Sequence, residues 1–199
     1  MECEEKHIRI VAVKGSVRPG NYTGMALDLV ADEFSKQAGV EVHVVDPAEL
    51  SLPWPGSGGG DDTDKLQALI EGATGVVLST PEYHGSYSST IKLIIENLGF
   101  PSVLAGKPVA LLGVAAGQIG AIKALEYLRS VCSHVGTIVL PGPVSVAGVQ
   151  QVFNEDGQCL DERIEARIRG VATGLMNYVH QNICPRATLE AMVREKSDS

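Results

Sequence analysis

IRIVAVKGSVRPGNYTG, residues 8–24, passes from a largely apolar, β-branched-rich run (Ile8 to Val13, with Arg9 its one polar residue) into a glycine-rich turn and then into a helical pattern. An apolar run without polar alternation suits a parallel strand covered by helices on both faces. Beyond the run, Gly15, Gly20 and Gly24 stand around Ser16, Asn21, Tyr22 and Thr23, with Arg18 at the turn. Glycines let backbone N–H groups converge, hydroxyls and an amide donate, a helix start adds positive partial charge, and arginine brings a fork of donors. This composition suits a bound phosphate. It also suits an ordinary Gly-Pro turn with an Asn or Thr cap and a solvated Arg18. The position directly after a first strand favours the phosphate, because ligands of open α/β sheets collect beyond the carboxyl ends of strands. Neither GxxxxGKS/T nor GxGxxG is present, which argues against an ATP-type loop and against a dinucleotide held by this segment.

Working outward, Val40 to Val45, Gly75 to Thr80, Val109 to Val114 and Thr137 to Leu140 read as four further strands. Between them, apolar residues recur at helical spacing: Leu27, Val30, Ala31, Phe34 and Ala38, then Ile91, Ile94, Ile95 and Leu98, then Ile122, Leu125 and Leu128. A last helix carries Ile164, Ile168, Val171, Leu175 and Val179 after a turn at Asn154 to Gly157. The β-α alternation predicts a three-layer, doubly wound α/β fold with right-handed crossovers. SLPWPGSGGGDDTD, from Ser51 to Asp64, has no periodicity and reads as a loop, with Thr63 and Asp64 able to cap the helix containing Leu66, Leu69 and Ile70. Residues 1–185 form one expected domain and 186–199 a polar C-terminal tail.

The chain has 199 residues, 44% of them hydrophobic, with 24 acidic and 16 basic residues giving a net charge of −8. That balance opposes non-specific binding to nucleic acid or anionic lipid, so neither nucleic acid nor membrane is an expected partner. The apolar residues are dispersed, and MECEEKHIRI has acids where a signal peptide has bases. Cys3, Cys132, Cys159 and Cys184 form no CxxC pair, so no metal site is expected; their scatter suits a reducing cytoplasm. Cys132, one turn beyond Leu128, reads as core.

Two other loops have compositions suited to chemistry. TPEYHGSYSST, residues 80–90, is dense in hydrogen-bonding groups: Pro81 fixes the strand exit, Gly85 permits close approach, and Tyr83, His84, Ser86 and Ser88 offer polar or stacking contacts to a flat ring. Ser88 or Ser89 equally suits a helix cap and Tyr83 equally suits packing. Glu82 reads either as wall or as a solvated acid. His84 lacks a carboxylate or nucleophile at a diagnostic spacing, so it reads as a wall residue and no catalytic side chain is assigned. GVAAGQIGA, residues 113–121, is small enough for a planar ring to lie against backbone, or for tight helix–strand packing.

Together GSVRPGNYT, TPEYHGSYSSTIK and GVAAGQIGA, in that order after strands 1, 3 and 4, resemble the NADPH-dependent FMN reductase family, which includes chromate, quinone and azo-dye reductases, from about Ile8 to Tyr178. The resemblance implies a flavodoxin-like five-stranded parallel sheet of order 2-1-3-4-5. It implies that Ser16, Arg18, Asn21, Tyr22 and Thr23 bind the FMN phosphate and that Pro81, Glu82, Tyr83, His84 and Gly85 line the isoalloxazine. It also places Ala116, Gly117 and Gln118 against the ring's other side. Further implications are NADPH or NADH as co-substrate, a small-molecule electron acceptor, and a homodimer or homotetramer with flavin near the subunit boundary. Departures from the family pattern are His84 for asparagine, Ser88-Ser89 for Pro-Gly, and Glu96-Asn97-Leu98 for Asp-Trp-Leu.

The expected activity is therefore a two-step reduction through FMN. A flavodoxin-like electron carrier is the alternative, disfavoured by Arg18, because flavodoxin phosphate loops usually lack arginine. A receiver would need acids at the end of strand 1, where Val13 and Lys14 stand.

Overall fold

The computed structural model describes residues 8–187 and 189–190, so Cys3 and most of the polar tail lie outside the described residues. Strand burial decides where each strand sits. Taking the elements in chain order, β1 (Ile8–Lys14) exposes Arg9 and half-buries Lys14, whereas β2 (Val40–Val45) is largely half-exposed and lies at an edge. β3 (Gly75–Pro81) and β4 (Pro108–Val114) are buried at every position and form the middle. All pairings are parallel, in the order β2-β1-β3-β4-β5, where β5 is Ile138–Val139. The expected α/β class and strand order are thus present.

Helices α1 (Tyr22–Ser35) and α5 (Glu162–Tyr178) cover one face, packing Leu27, Val30, Phe34, Ile168 and Leu175 on Ile10, Ala12 and Leu112. Helices α2 (Asp61–Glu71), α3 (Ser89–Glu96) and α4 (Ile122–His134) cover the other, packing Ile70, Ile91, Ile94 and Leu128 on Val11, Val76 and Leu111. The crossovers leaving the adjacent strands β1 and β3 therefore run to opposite faces, which opens a crevice at their carboxyl ends. Cys132 is fully buried in the second layer, and burial pushes its thiol up to about 12, as befits a core residue. Among the described residues no helix is long and apolar enough to cross a membrane.

The five-strand expectation needs correction at the fifth position. Instead of one strand from Thr137 to Leu140, β5 pairs only with Pro108 and Val109, and the chain resumes as β6 (Val144–Val146) against Leu112 to Val114, making six strands. The interruption is Pro141-Gly142-Pro143: proline has no N–H for the ladder, and Gly142 takes φ +72°. The detour carries Ser145 to the carboxyl edge of the sheet.

The expected cap of α2 is also displaced. The helix begins at Asp61 with Gly60 at the N-cap and no side-chain cap bond, while Asp61, Asp62 and Asp64 stand in the first turn, where the helix dipole favours them. Thr63 is buried and donates instead to Asn97 Oδ1 at 3.0 Å. Asn97 Nδ2 donates to the carbonyls of Pro53 (3.1 Å) and Leu93 (2.9 Å), and the Ser51 N–H donates to Asp62 at 2.9 Å. One buried amide thereby pins the base of the Ser51 to Asp64 loop, while Trp54 remains 71% exposed.

Between the two helices of the first layer, Arg169 of α5 donates to Asp32, Glu33 and the Leu29 carbonyl of α1 and to Glu165 of its own helix. The Lys36 ammonium and then the Arg169 guanidinium hold the Asp32 carboxyl below its ordinary value.

Two predictions follow from these contacts. Asn97→Ala removes three bonds of a buried side chain and should cost about 2 kcal/mol in urea unfolding; a loss within error of zero would show the amide is dispensable. Because Asp32 is lowered in the folded state, its contribution is present above the unfolded carboxylate value of about 3.9 and is lost as pH falls through the lower folded value. Asp32→Asn should therefore melt below wild type at pH 7, with the gap closing toward pH 3 in thermal scans; a gap independent of pH would refute the assignment.

Candidate functional site

The segment after β1 is shaped by contacts that glycine alone permits. A Cβ on Gly15 would lie 2.3 Å from the Ser79 carbonyl oxygen and 2.7 Å from Ile91, so the chain crosses β3 as bare backbone. Ser88 Oγ donates to the Gly15 carbonyl at 2.6 Å and accepts from the Ile91 N–H at 3.2 Å, so this serine is the N-cap of α3 as well as a strut under the first loop. Past Gly20, which takes φ +59°, Asn21 caps α1: its Oδ1 accepts from the Gly24 N–H at 2.7 Å and its Nδ2 donates to the Arg18 carbonyl at 2.6 Å. Helix geometry leaves the N–H groups of Tyr22 and Thr23 without intrahelical acceptors.

Ser16, Arg18, Gly20, Asn21 and Gly24 line a cleft of about 240 Å³ that also takes in Lys14, Asp28 and Asp46. The side chains of Tyr22 and Thr23 are not part of its wall. Tyr22 stacks on Phe153, ring centroids 6.4 Å apart, and Thr23 is buried, its carbonyl accepting from Ser79 Oγ at 3.3 Å. No acidic residue occupies the first turn of α1. Two uncommitted helix N–H groups, a buried serine, an arginine and an acid-free helix start fit a phosphate monoester in kind and in charge.

The second loop closes on itself. Tyr83 and Ser86 exchange both backbone bonds, at 2.9 and 3.0 Å, around His84 (φ 51°) and Gly85 (φ 73°), a two-residue turn of the I′ kind. Pro81 is the buried last residue of β3. Glu82 is not a solvated acid: its N–H donates to Val114 O at 2.9 Å and its carboxylate accepts from the Ala124 N–H at 3.1 Å, in the first turn of α4. Ser145 Oγ accepts from the Ala121 N–H at 2.8 Å, so two side chains distant in sequence serve a helix whose own N-cap, Ala121, offers none. Ala116, Gly117 and Gln118 of the third loop are exposed, with the Gly117 carbonyl accepting from Gly120 and Gly148.

Arg18 joins the first two loops: its Cζ lies 5.2 Å from the centroid of the half-exposed Tyr83 ring. Glu82 and Tyr87 tie the second loop to α4 and so to the third. The predicted residues therefore gather at one edge of the sheet, although Asn21, Tyr22 and Glu82 spend their side chains holding the loops. The sequence alone carried no sign of the bonds made by Ser145 and Asn97, nor of the pairing of Lys14 with Asp46, which the continued register of Val13 on Val45 sets side by side.

Among the described residues His84 is the one non-glycine at positive φ. Asparagine tolerates that region better, so His84→Asn should stabilise the protein by about 0.5 kcal/mol in urea unfolding; a destabilised variant would mean that the imidazole makes a compensating contact.

Comparison with known proteins identifies the family. Residues 8–151 match the family model described as NADPH-dependent FMN reductase. An NADPH azoreductase of Bacillus sp. (strain OY1-2) is 32% identical over 176 residues, covering 86% of this chain and 93% of that protein. A quinone reductase of Escherichia coli (strain K12) is 28% identical, covering 87% and 96%. Among solved structures, the flavoenzyme NAD(P)H:(acceptor) oxidoreductase FerB of Paracoccus denitrificans superposes with a TM-score of 0.68 at 23% identity, over 85% of this chain and 98% of that one, a likeness of fold. By its sequence match over residues 8–151 and its 32% identical relative, this chain belongs to the NADPH-dependent FMN reductase family.

Proposed function

We propose that the cleft at the start of α1 holds the phosphate of FMN and that the loops at 81–85 and 116–118 enclose its isoalloxazine. The enzyme is an NAD(P)H-dependent FMN oxidoreductase that reduces small acceptors. When bound, FMN would supply the hydride and electron transfer between nicotinamide and acceptor.

The chain's own residues bind and orient. Ser16 Oγ, the N–H groups of Tyr22 and Thr23 and the Arg18 guanidinium contact the phosphate. Asn21 fixes the loop that presents them, and the Tyr22 ring anchors the helix start on Phe153. Pro81, Glu82, Tyr83, His84 and Gly85 form one wall, whose angle is set by the Glu82 bond to α4, and Ala116, Gly117 and Gln118 form the other. No side chain need act as acid or base. The observation that carries this reading is the acid-free start of α1 beside Ser16 and Arg18, at the crevice between β1 and β3.

The acceptor is a quinone, an azo compound, a flavin or a metal oxyanion; the names of the relatives support the first two. The protein works in the cytoplasm, in keeping with the thiols of Cys132 and Cys159. It assembles as a homodimer or homotetramer, a reading supported by the fully exposed Phe100 beside a cavity of about 510 Å³ between α3 and α4.

The visible spectrum of the purified protein, followed by anaerobic titration with NADPH and NADH, tests the function: a flavin spectrum bleached by at least one nicotinamide is expected. A colourless protein that cannot be loaded with FMN would sink it, and a flavin that neither nicotinamide reduces would favour the carrier. Arg18→Ala should weaken FMN binding by about tenfold or more with the melting temperature little changed; unchanged affinity would make Arg18 a surface residue.

A further inference from the structure

Lys14 and Asp46 stand at the carboxyl ends of the neighbouring strands β1 and β2, one step beyond the register pair Val13 and Val45. Nζ lies 3.2 Å from Asp46 Oδ2, with the two side chains 20% and 31% exposed. Asp46 is held by its other oxygen, which accepts from the Ala48 N–H at 3.0 Å at the start of a short 3-10 turn, Pro47–Glu49. The end of the Lys14 stem lies over Gly24, where a Cβ would be 3.7 Å from its Cε. The ammonium therefore lies against the first turn of α1, at the positive end of that helix, and both partners line the same cleft as Ser16, Arg18 and Asn21.

That placement is electrostatically unusual. Acids are favoured at a helix N-terminus and cations at its C-terminus. Here two cations, Lys14 and Arg18, gather at an N-terminus with no acid in its first turn. Arg18 leans on the Tyr83 ring instead of a carboxylate, and Asp28, the other acid of the cleft wall, is exposed. Asp46 is thus, among the described residues, the one anion paired with Lys14, and it is fixed to its own turn. A doubly negative ligand entering the cleft would meet Arg18 and the start of α1 and compete with Asp46 for the Lys14 ammonium.

Resting on the assignment of the cleft to the FMN phosphate, we propose that Lys14 is a second cationic contact for that phosphate and that Asp46 tempers it, the pair setting the preference for FMN over riboflavin. The phosphate monoester draws the ammonium partly away from Asp46. Lys14 adds to FMN affinity and not to flavin affinity in general, whereas Asp46 subtracts from it.

The experiment titrates apo-protein with FMN and separately with riboflavin at low and high salt, for wild type, Lys14→Met, Lys14→Arg and Asp46→Asn. Lys14→Met should weaken FMN about tenfold, leave riboflavin within about twofold, and flatten the salt dependence of FMN binding. Lys14→Arg should keep most of the preference for FMN, and Asp46→Asn should tighten FMN about threefold with riboflavin unchanged. Parallel losses of FMN and riboflavin in Lys14→Met, or an unchanged ratio, would overturn the proposal and leave the pair as a fold contact. Should Lys14→Met not fold, Asp46→Asn decides alone, and weaker FMN binding in it refutes the proposal. Wild type that binds FMN no more tightly than riboflavin would instead refute the phosphate assignment itself.

Discussion

At Gly15 the backbone leaving β1 passes so close to the Ser79 carbonyl and to Ile91 that no side chain fits between them. This close approach sets the distance between the first loop and the start of α3, and the bond from Ser88 Oγ to the Gly15 carbonyl locks it. Because β1 and β3 are adjacent while their helices run to opposite faces, the same point is where the crevice opens. The position of the first loop is therefore a property of the sheet and of α3, not of the loop's own residues. Its mouth can then be lined by exposed, unstrained groups such as Arg18, since rigidity comes from beneath.

A second layer of constraint runs sideways, from loop to helix. α4 begins at Ala121, which has no side chain to offer its first N–H groups, and receives an oxygen from Glu82 and another from Ser145. Each bond satisfies a helix donor that would otherwise have no partner and fixes the strand-end loop it comes from. The wall from Pro81 to Gly85 and the loop from Ala116 to Gln118 are thereby referred to one common element. A ring lying between them would meet two surfaces whose separation is set by α4. Even the interruption at Pro141-Gly142-Pro143 belongs to this arrangement, because it delivers β6, and with it Ser145, to the carboxyl edge.

The parts legible in the sequence were those encoded by local pattern. Largely apolar, β-branched runs marked β1, β3 and β4, and a β-branched run with alternating polar residues marked the edge strand β2; helical spacing marked the crossovers, and Ser88 was recognisable as a cap from its type and position. The parts that escaped depend on pairing across the fold. That Thr137 to Leu140 breaks and β6 takes over could not be read without knowing which residues of β4 each piece faces. Thr63 looked like a cap because its bond to Asn97, 34 positions away, is invisible in one dimension. Glu82 could be read as wall or as solvated acid because the helix end it serves lies 42 residues on. Recognition of the three loops together succeeded where each alone was ambiguous, since their common edge follows from strand order.

The cleft gathers two cations at a helix start although the molecule as a whole is acidic, and the physics of screening explains why both can stand. With a net charge of −8, the protein as a whole repels phosphorylated ligands, but at physiological salt that repulsion decays over about 8 Å. Inside the cleft the relevant charges are Arg18, Lys14 and the start of α1, opposed by Asp46 and the exposed Asp28; Lys14 and Asp46 are partly shielded from water, whereas Arg18 is exposed. Contact electrostatics thus governs retention of a phosphate, while the global field lowers the encounter rate of any polyanion, nicotinamide dinucleotides included. Were a flavin phosphate seated there, the half-buried Lys14 would strengthen its hold without strengthening that on a ligand docking over the exposed loops. Lys14, kept from the surface by its bond to Asp46, would add attraction only within this cleft.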